Sequence, residues 1–221
     1  MPPTHLIYDW DNTLVDAWPG VTAAMNAAFA AFAMPAWTEA ETKARARRSL
    51  TEAFPPLFGP DWPRARDLFH AAYQATHTAT LRPLAGSATL IAGFPPTRQA
   101  VVSNKTGRFL RAEAAHLGWT GYFTTLIGAG DAAADKPDAA PIRLALERLG
   151  AAPGIAVWYV GDTALDMQAA RAAGVTAVLL GDAAHDGGVD HAAPDLHFPD
   201  AAFLLRVVSG VPSDACPGRT G

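Results

Sequence analysis

The stretch Thr4-His5-Leu6-Ile7-Tyr8-Asp9-Trp10-Asp11-Asn12-Thr13-Leu14-Val15-Asp16 decides how the rest of the chain is read. Residues 4–9 read as a short buried strand, an apolar run closed by an aspartate. Two carboxylates then stand two residues apart. In an extended chain such residues point to the same side, so Asp9 and Asp11 face one way and Trp10 faces back toward a core. Like charges held that close repel, and groups elsewhere in the chain must offset them.

Downstream of this stretch the pattern is helical. Apolar residues recur at helical spacing from Trp18 to Met34, and Pro35 is expected to end that helix. A polar helix is predicted over 38–50, opened by Thr38 with Glu41 three residues on. Residues 54–63, rich in proline, read as irregular, and a further helix is predicted over 64–78. After Pro83 strands alternate with helices. Strands are predicted near 98–104, 124–130, 155–162, 176–182 and 195–198, and helices over 107–117, 137–149, 163–174 and 199–208. That alternation implies an α/β fold, a doubly wound parallel sheet interrupted after its first strand by an all-helical insertion. The expected organisation is a core of residues 1–16 and 82–210, a helical domain at 17–81, and a disordered tail at 211–221.

Half of the 221 residues are apolar and 17% are charged, with a net charge of -4, which reads as a globular chain without a basic face for nucleic acid. No apolar run reaches the ~20 residues of a membrane span. The N-terminus lacks the basic head and long apolar stretch of a secretion signal, so the cytoplasm is the expected location. One cysteine, Cys216 in the tail, excludes a disulfide framework within the chain. Only Lys43, Lys105 and Lys136 are lysines among seventeen basic residues. A lysine kept against that bias toward arginine suggests a need for a compact ammonium.

In open parallel sheets ligands bind beyond the carboxyl ends of the strands. The predicted strand exits deliver Asp9, then Ser103, Asn104 and Lys105, then Lys136, then Asp162 with Asp166 one helical turn on. Four carboxylates (Asp9, Asp11, Asp162, Asp166) meet one identified ammonium, Lys136. They stay ionised together only beside a further cation. Hard oxygen ligands, with no histidine or cysteine expected nearby, select Mg²⁺. A metal, a hydroxyl and an ammonium at one rim suit a phosphoryl group.

Asp9-x-Asp11-x-Thr13, Ser103, Lys136 before Pro137, and Gly161-Asp162-x-x-x-Asp166 resemble, in order and spacing, the four motifs of the haloacid dehalogenase-like (HAD) hydrolases. The resemblance covers about residues 4–209. It implies a Rossmannoid core, with the helical insertion as a C1 cap like that of phosphoglycolate phosphatase-like members. It further implies a Mg²⁺-dependent phosphatase acting on a small phosphomonoester, such as phosphoglycolate, through an aspartyl-phosphate. On that resemblance Asp9 is the nucleophile and Asp11 the general acid and base. Ser103 and Lys136 hold phosphoryl oxygens. Asp9, the Asp11 carbonyl and Asp162 ligate the metal, while Asp166 binds it or orients Lys136. The backbone N–H groups near Asp11, Asn12 and Asn104 complete the anion cradle, and Thr13 is counted with Asn12 and Asn104 among the substrate-binding residues. Asn12 stands where most members carry glycine, and asparagine tolerates a left-handed backbone nearly as well. A phosphosugar mutase and a haloalkanoate dehalogenase share the fold, but the dehalogenase branch lacks the second aspartate. A phospho-accepting receiver module has its acidic residues in a different order.

Residues 43–49 form the one basic cluster, so Arg45 and Arg48 are candidates for gripping an anionic substrate tail, against the alternative of a solvated helix face. His185-Asp186-Gly187-Gly188-Val189-Asp190-His191 reads as a glycine-hinged rim loop rather than a metal site. His116 is expected to be partly buried. The sequence leaves open which ester is hydrolysed and whether the chain assembles with copies of itself.

Overall fold

A computed structural model describes residues 2–45 and 50–210. Six parallel strands form the central sheet, in the order β5-β4-β1-β6-β7-β8. They are β1 (His5–Tyr8), β4 (Gln99–Thr106), β5 (Thr125–Ala129), β6 (Val157–Gly161), β7 (Thr176–Leu180) and β8 (Leu196–Phe198). Two-residue strands β2 (Val15–Asp16) and β3 (Arg82–Pro83) pair antiparallel beside it. The helices are α1 (Trp18–Ala31), α2 (Glu39–Arg45), α3 (Leu50–Phe58), α4 (Trp62–Thr80), α5 (Ser87–Ala92), α6 (Gly107–His116), α7 (Ala140–Leu149), α8 (Ala164–Ala173), α9 (Val189–Ala192) and α10 (Ala201–Val208).

Alternation along the strands divides the core into two layers. Leu6, Tyr8, Val101, Trp158, Val160 and Val178 face one side, under α5, α6 and α10. Ile7, Ala100, Val102, Tyr159, Ala177 and Leu179 face the other, under α7 and α8. Both faces are covered, as an all-parallel sheet requires. After β1 the chain builds outward through β4 and β5, then returns to the other side of β1 for β6, β7 and β8. The crossovers reverse direction at β1, which opens a crevice at its carboxyl end, where Asp9 begins.

Helices α1, α3 and α4 pack around their own apolar cluster of Met25, Phe29, Phe54, Phe58 and Phe69, joined by Phe109 from α6. The sequence reading misplaces two boundaries here. Helix α1 stops at Ala31, ahead of Pro35, because Ala33 turns left-handed (φ 52°). Ala33 N–H donates to Ala30 O and Met34 N–H to Phe29 O, the paired closure that satisfies a helix end. Residues 54–58, expected to be irregular, finish helix α3 despite Pro55 and Pro56. Phe54 and Phe58 lie one turn apart and bury together. Roughly 1.5–3 kcal/mol from each buried ring offsets the ~3 kcal/mol cost of an interior proline. The capping box at Thr38 and Glu41 is present as expected. His116, expected to be partly buried, is instead exposed in the last turn of α6, where a helix end favours positive charge. The β2–β3 ribbon, which the sequence did not signal, clamps the two ends of the helical insertion together. Among the described residues no helix is long and apolar enough to cross a membrane. Arg48, Cys216 and the tail 211–221 lie outside the described residues.

Candidate active site

Strand β1 ends by donating Asp9 N–H to Val160 O at 2.8 Å, which places the Asp9 side chain beyond the sheet edge. Asp9, Ser103, Lys136 and Asp162, delivered by different segments, are all buried at the carboxyl rim. They line one open cleft of about 610 Å³ together with Asp11 and Lys105. Asn12 adopts the left-handed backbone (φ 60°) anticipated for it, and the chain turns there toward β2.

Lys136 is fixed at both ends. Its backbone N–H donates to Asn104 Oδ1 and its carbonyl accepts from Asn104 Nδ2, each at 2.9 Å. Its ammonium lies 2.9 Å from Asp9 Oδ1 and 2.6 Å from Asp166 Oδ1. Burial alone would lower Lys136, but Asp166 and Asp9 outweigh it and hold it well above the ordinary lysine range. Asp166 accepts from the Asp162 and Thr163 N–H groups, the Thr163 hydroxyl, Lys136 and Tyr159. With its lone pairs so used, Asp166 is placed to orient Lys136, one of the two roles considered for it. Gly161 makes this possible: a Cβ there would lie 2.6 Å from Asp166 Oδ2 and closer still to Asp166 Cβ and Cγ.

Electrostatics pull the acidic groups upward. Burial pushes the Asp9 carboxyl up to about 7; Lys136 opposes the shift, while Asp166, Asp162 and Asp11 add to it. Asp162 is raised by burial as well, against the neighbouring His185 imidazole and the Thr13 hydroxyl. The carboxylate oxygens of Asp9, Asp162 and Asp166 lie within 4.8 Å of one another. Asp9 Oδ1 and Asp162 Oδ2 are buried with no hydrogen-bond partner among the described residues, with Lys136 2.9 Å from the first and His185 3.0 Å from the second as ion-pair neighbours. Unpartnered hard oxygens in an acidic cluster fit a divalent cation of the Mg²⁺ type. The carboxylate of Asp11 is not in that cluster.

Several expected residues hold different posts. Thr13 is fully buried outside the cleft and donates its hydroxyl to Asp162 Oδ1 at 2.8 Å, so its side chain steadies Asp162. The Asn104 side-chain amide pairs with the Lys136 backbone, a contact that does not involve the Asn104 backbone N–H expected in the cradle. Ser103 Oγ accepts from Lys105 N–H at 3.3 Å and lines the cleft. Arg45 is exposed on α2, 3.4 Å from Glu41 and stacked over Trp37, and does not line the cleft. It has the solvated-face arrangement, not the substrate-gripping one.

Two residues that the sequence reading set at the rim have partners there that it did not assign. Lys105 supplies a second ammonium, 2.6 Å from Asp11 Oδ1, so Lys136 is not the one positive charge there. Its survival against the arginine bias was the available signal. Histidine is also present, contrary to expectation: His185 Nε2 lies 3.0 Å from Asp162 Oδ2, with its ring edge-on to Trp18. Asp186 anchors that loop by accepting from Ala164 N–H at 2.7 Å. No sequence spacing links a loop at 185 to a strand end at 162.

Known proteins resemble this chain in sequence and in fold. Residues 6–180 match the family model of the haloacid dehalogenase-like hydrolases. A phosphoglycolate phosphatase of Xylella fastidiosa is 32% identical over 183 residues, 80% of each chain. Another, from Pectobacterium atrosepticum, is 32% identical over 185 residues, 78% of each chain. Among solved structures, a haloacid dehalogenase-like family hydrolase from Streptococcus pneumoniae superimposes with a TM-score of 0.80 at 20% identity, covering 92% of this chain and 97% of its own. A HAD-superfamily hydrolase from Ehrlichia chaffeensis gives 0.65 at 23% identity, covering 95% and 97%. At those identities the solved structures speak for the fold alone. The chain therefore belongs to the haloacid dehalogenase-like hydrolases, and its curated relatives place it near their phosphoglycolate phosphatases.

Proposed function

We propose that this protein is a Mg²⁺-dependent phosphatase that hydrolyses a small phosphomonoester by way of a phosphorylated Asp9. The observation that carries the reading is Asp9 itself: a buried carboxylate at the switch point, with Oδ1 free of hydrogen bonds and an ammonium 2.9 Å away. Asp9, Asp162 and the Asp11 carbonyl would hold the cation. When bound, it supplies positive charge that keeps the crowded carboxylates ionised and neutralises phosphoryl oxygens. Lys136, pinned by Asn104 and Asp166, holds a phosphoryl oxygen beside Asp9, with the Ser103 hydroxyl as a further donor.

In the first step an Asp9 oxygen pair forms a bond to phosphorus. The P–O bond to the leaving group breaks, its electron pair stays on the departing oxygen, and Asp11 delivers a proton to that oxygen. In the second step Asp11 takes a proton from water, the water oxygen bonds to phosphorus, and the bond from phosphorus to Asp9 breaks. Inorganic phosphate leaves and both aspartates return to their starting states. The names of the curated relatives point to phosphoglycolate as the ester. The decisive measurement is turnover by Asp9→Asn, which keeps the shape of the side chain, with thermal unfolding run alongside to report its fold. Loss of all turnover of phosphoglycolate and p-nitrophenyl phosphate is expected, and retained turnover of either sinks the assignment. A panel of phosphorylated metabolites ranked by kcat/KM then fixes the substrate.

A further inference from the structure

Glu113 is a carboxylate with no exposure, on a face of α6 otherwise made of Phe109, Leu110 and Ala114. A buried charge is retained only where its partners compensate a large desolvation cost. Its two oxygens divide their partners by structural unit. Oε2 accepts from Trp10 Nε1 at 2.7 Å and from Lys105 Nζ at 2.6 Å, both in the α/β core. Oε1 takes Tyr73 OH at 3.3 Å and His77 Nδ1 at 2.8 Å, both on α4 of the helical insertion. The core partners lead straight to Asp11. Trp10 is its chain neighbour, and the Lys105 ammonium lies between Glu113 Oε2 and Asp11 Oδ1, 2.6 Å from each. One carboxylate thus pins the backbone that carries Asp11, holds the cation that faces its side chain, and ties both to α4.

We propose that Glu113 is a positioning residue for Asp11. Through Lys105 it fixes Asp11 Oδ1 and leaves the other oxygen turned to the cleft for proton transfer. Through Tyr73 and His77 it makes that geometry depend on α4 being seated against the core. The inference rests on the proposed role of Asp11, and the experiment separates the two.

Turnover of phosphoglycolate, whose alkoxide leaving group needs a proton, is compared with that of p-nitrophenyl phosphate, whose leaving group does not. The comparison is made for the full-length wild type and for Asp11→Asn, Glu113→Gln, Lys105→Met and the Glu113→Gln/Lys105→Met pair. Proton transfer contributes ~10²- to 10⁴-fold to such reactions, so Glu113→Gln is expected to lose about ten-fold or more kcat on the alkyl ester beyond its loss on the aryl ester. Its KM should stay within about three-fold, and the double variant should match Lys105→Met alone, as members of one relay do. Equal losses on both esters, an effect confined to KM, or additive losses in the double variant would overturn the inference. Where thermal unfolding shows that Glu113→Gln does not fold, Glu113→Asp is read in its place; it keeps the charge, withdraws it by one methylene, and is expected to show the same split. Lys105→Met must show the split in either case. If Asp11→Asn itself shows no split, the role given to Asp11 fails; if Asp11→Asn shows it and Glu113→Gln and Lys105→Met do not, only the positioning role of Glu113 fails.

Discussion

Replacing Gly161 with alanine tests whether the packing beneath the site sets its geometry. The new methyl would lie 2.6 Å from Asp166 Oδ2, and nearer to Asp166 Cβ and Cγ, which belong to the rigid first turn of α8. Carbon contacts settle near 3.5–4 Å, so Asp166 must retreat by about 1 Å. Its hydrogen bonds from Lys136 Nζ and from Thr163 Oγ1 are both 2.6 Å long, and a retreat of that size carries them past hydrogen-bond range. Overpacking costs ~1–3 kcal/mol, and losing one net charge-assisted bond adds ~1.5–3 kcal/mol. A loss near 3–4 kcal/mol is therefore expected, and at ~2–4 °C per kcal/mol for a chain of this size the Tm falls by roughly 10 °C. Lys136 loses its anchor as well, and a misplacement of ~1 Å in a catalytic group costs about 10²-fold in kcat/KM. Gly121→Ala is the control: nothing lies within 4 Å of its Cβ, and it is expected to change stability by under ~1 kcal/mol. Calorimetric unfolding and steady-state turnover of both variants decide the matter. A Gly161→Ala enzyme with a Tm within about 2 °C of wild type and unchanged kinetics would refute the steric reasoning.

Three further outcomes follow from single residues. Asn12→Gly should stay within about 1 kcal/mol of wild type, whereas Asn12→Ala should lose about 1 kcal/mol or more, because φ is 60° there, glycine has no β-carbon to clash, and alanine keeps the β-carbon without the amide whose Oδ1 accepts from Ala17 N–H; chemical denaturation measures both. Arg45→Ala should leave kcat/KM within about two-fold and stability within ~0.5 kcal/mol, since Arg45 pairs with Glu41 and stacks on Trp37 away from the cleft; a large rise in KM would restore it as a substrate contact. Glu41 is held below the ordinary carboxylate value of 4.5, first by the Thr38 backbone N–H and then by its hydroxyl. A depressed carboxylate stabilises the fold above its unfolded value and loses that contribution as pH falls through its folded value. The stability gap between wild type and Glu41→Gln, followed by thermal unfolding against pH, should thus be present at neutral pH and close below about pH 4.

Much of the architecture was legible in the order of residues because it depends on local periodicity. The alternation after Pro83 and the unbroken apolar run of Val157–Gly161 specify buried parallel strands whatever else the chain does. The motif carboxylates are legible for the same reason, since a strand exit is a local event and a parallel sheet delivers every exit to one rim. Asn12 was readable from the backbone tolerance of its residue type. Helix ends were less so: Ala33 closes α1 by adopting a conformation that alanine does not favour, and Phe54 and Phe58 carry α3 through two prolines. In both places tertiary packing outweighs a local preference of a few kcal/mol.

The tertiary structure alone decided which charge answers which. By sequence, Lys105 is a lysine at a strand exit, Glu113 a glutamate on a helix and His185 part of a rim loop, each without an assigned partner. Folding brings Lys105 between Asp11 and Glu113, puts His185 on Asp162, and leaves Asp166 with its hydrogen bonds filled. Such pairings run from 8 positions apart, Lys105 to Glu113, to 149, Thr13 to Asp162, with directions set by helix docking and loop closure, and no repeat along the chain encodes them. The opening carboxylate pair shows the division. Its spacing fixed that Asp9 and Asp11 share a side; the fold gave Asp9 to Lys136 and Asp11 to Lys105, because a buried charge settles where the surrounding chain supplies its counter-charge.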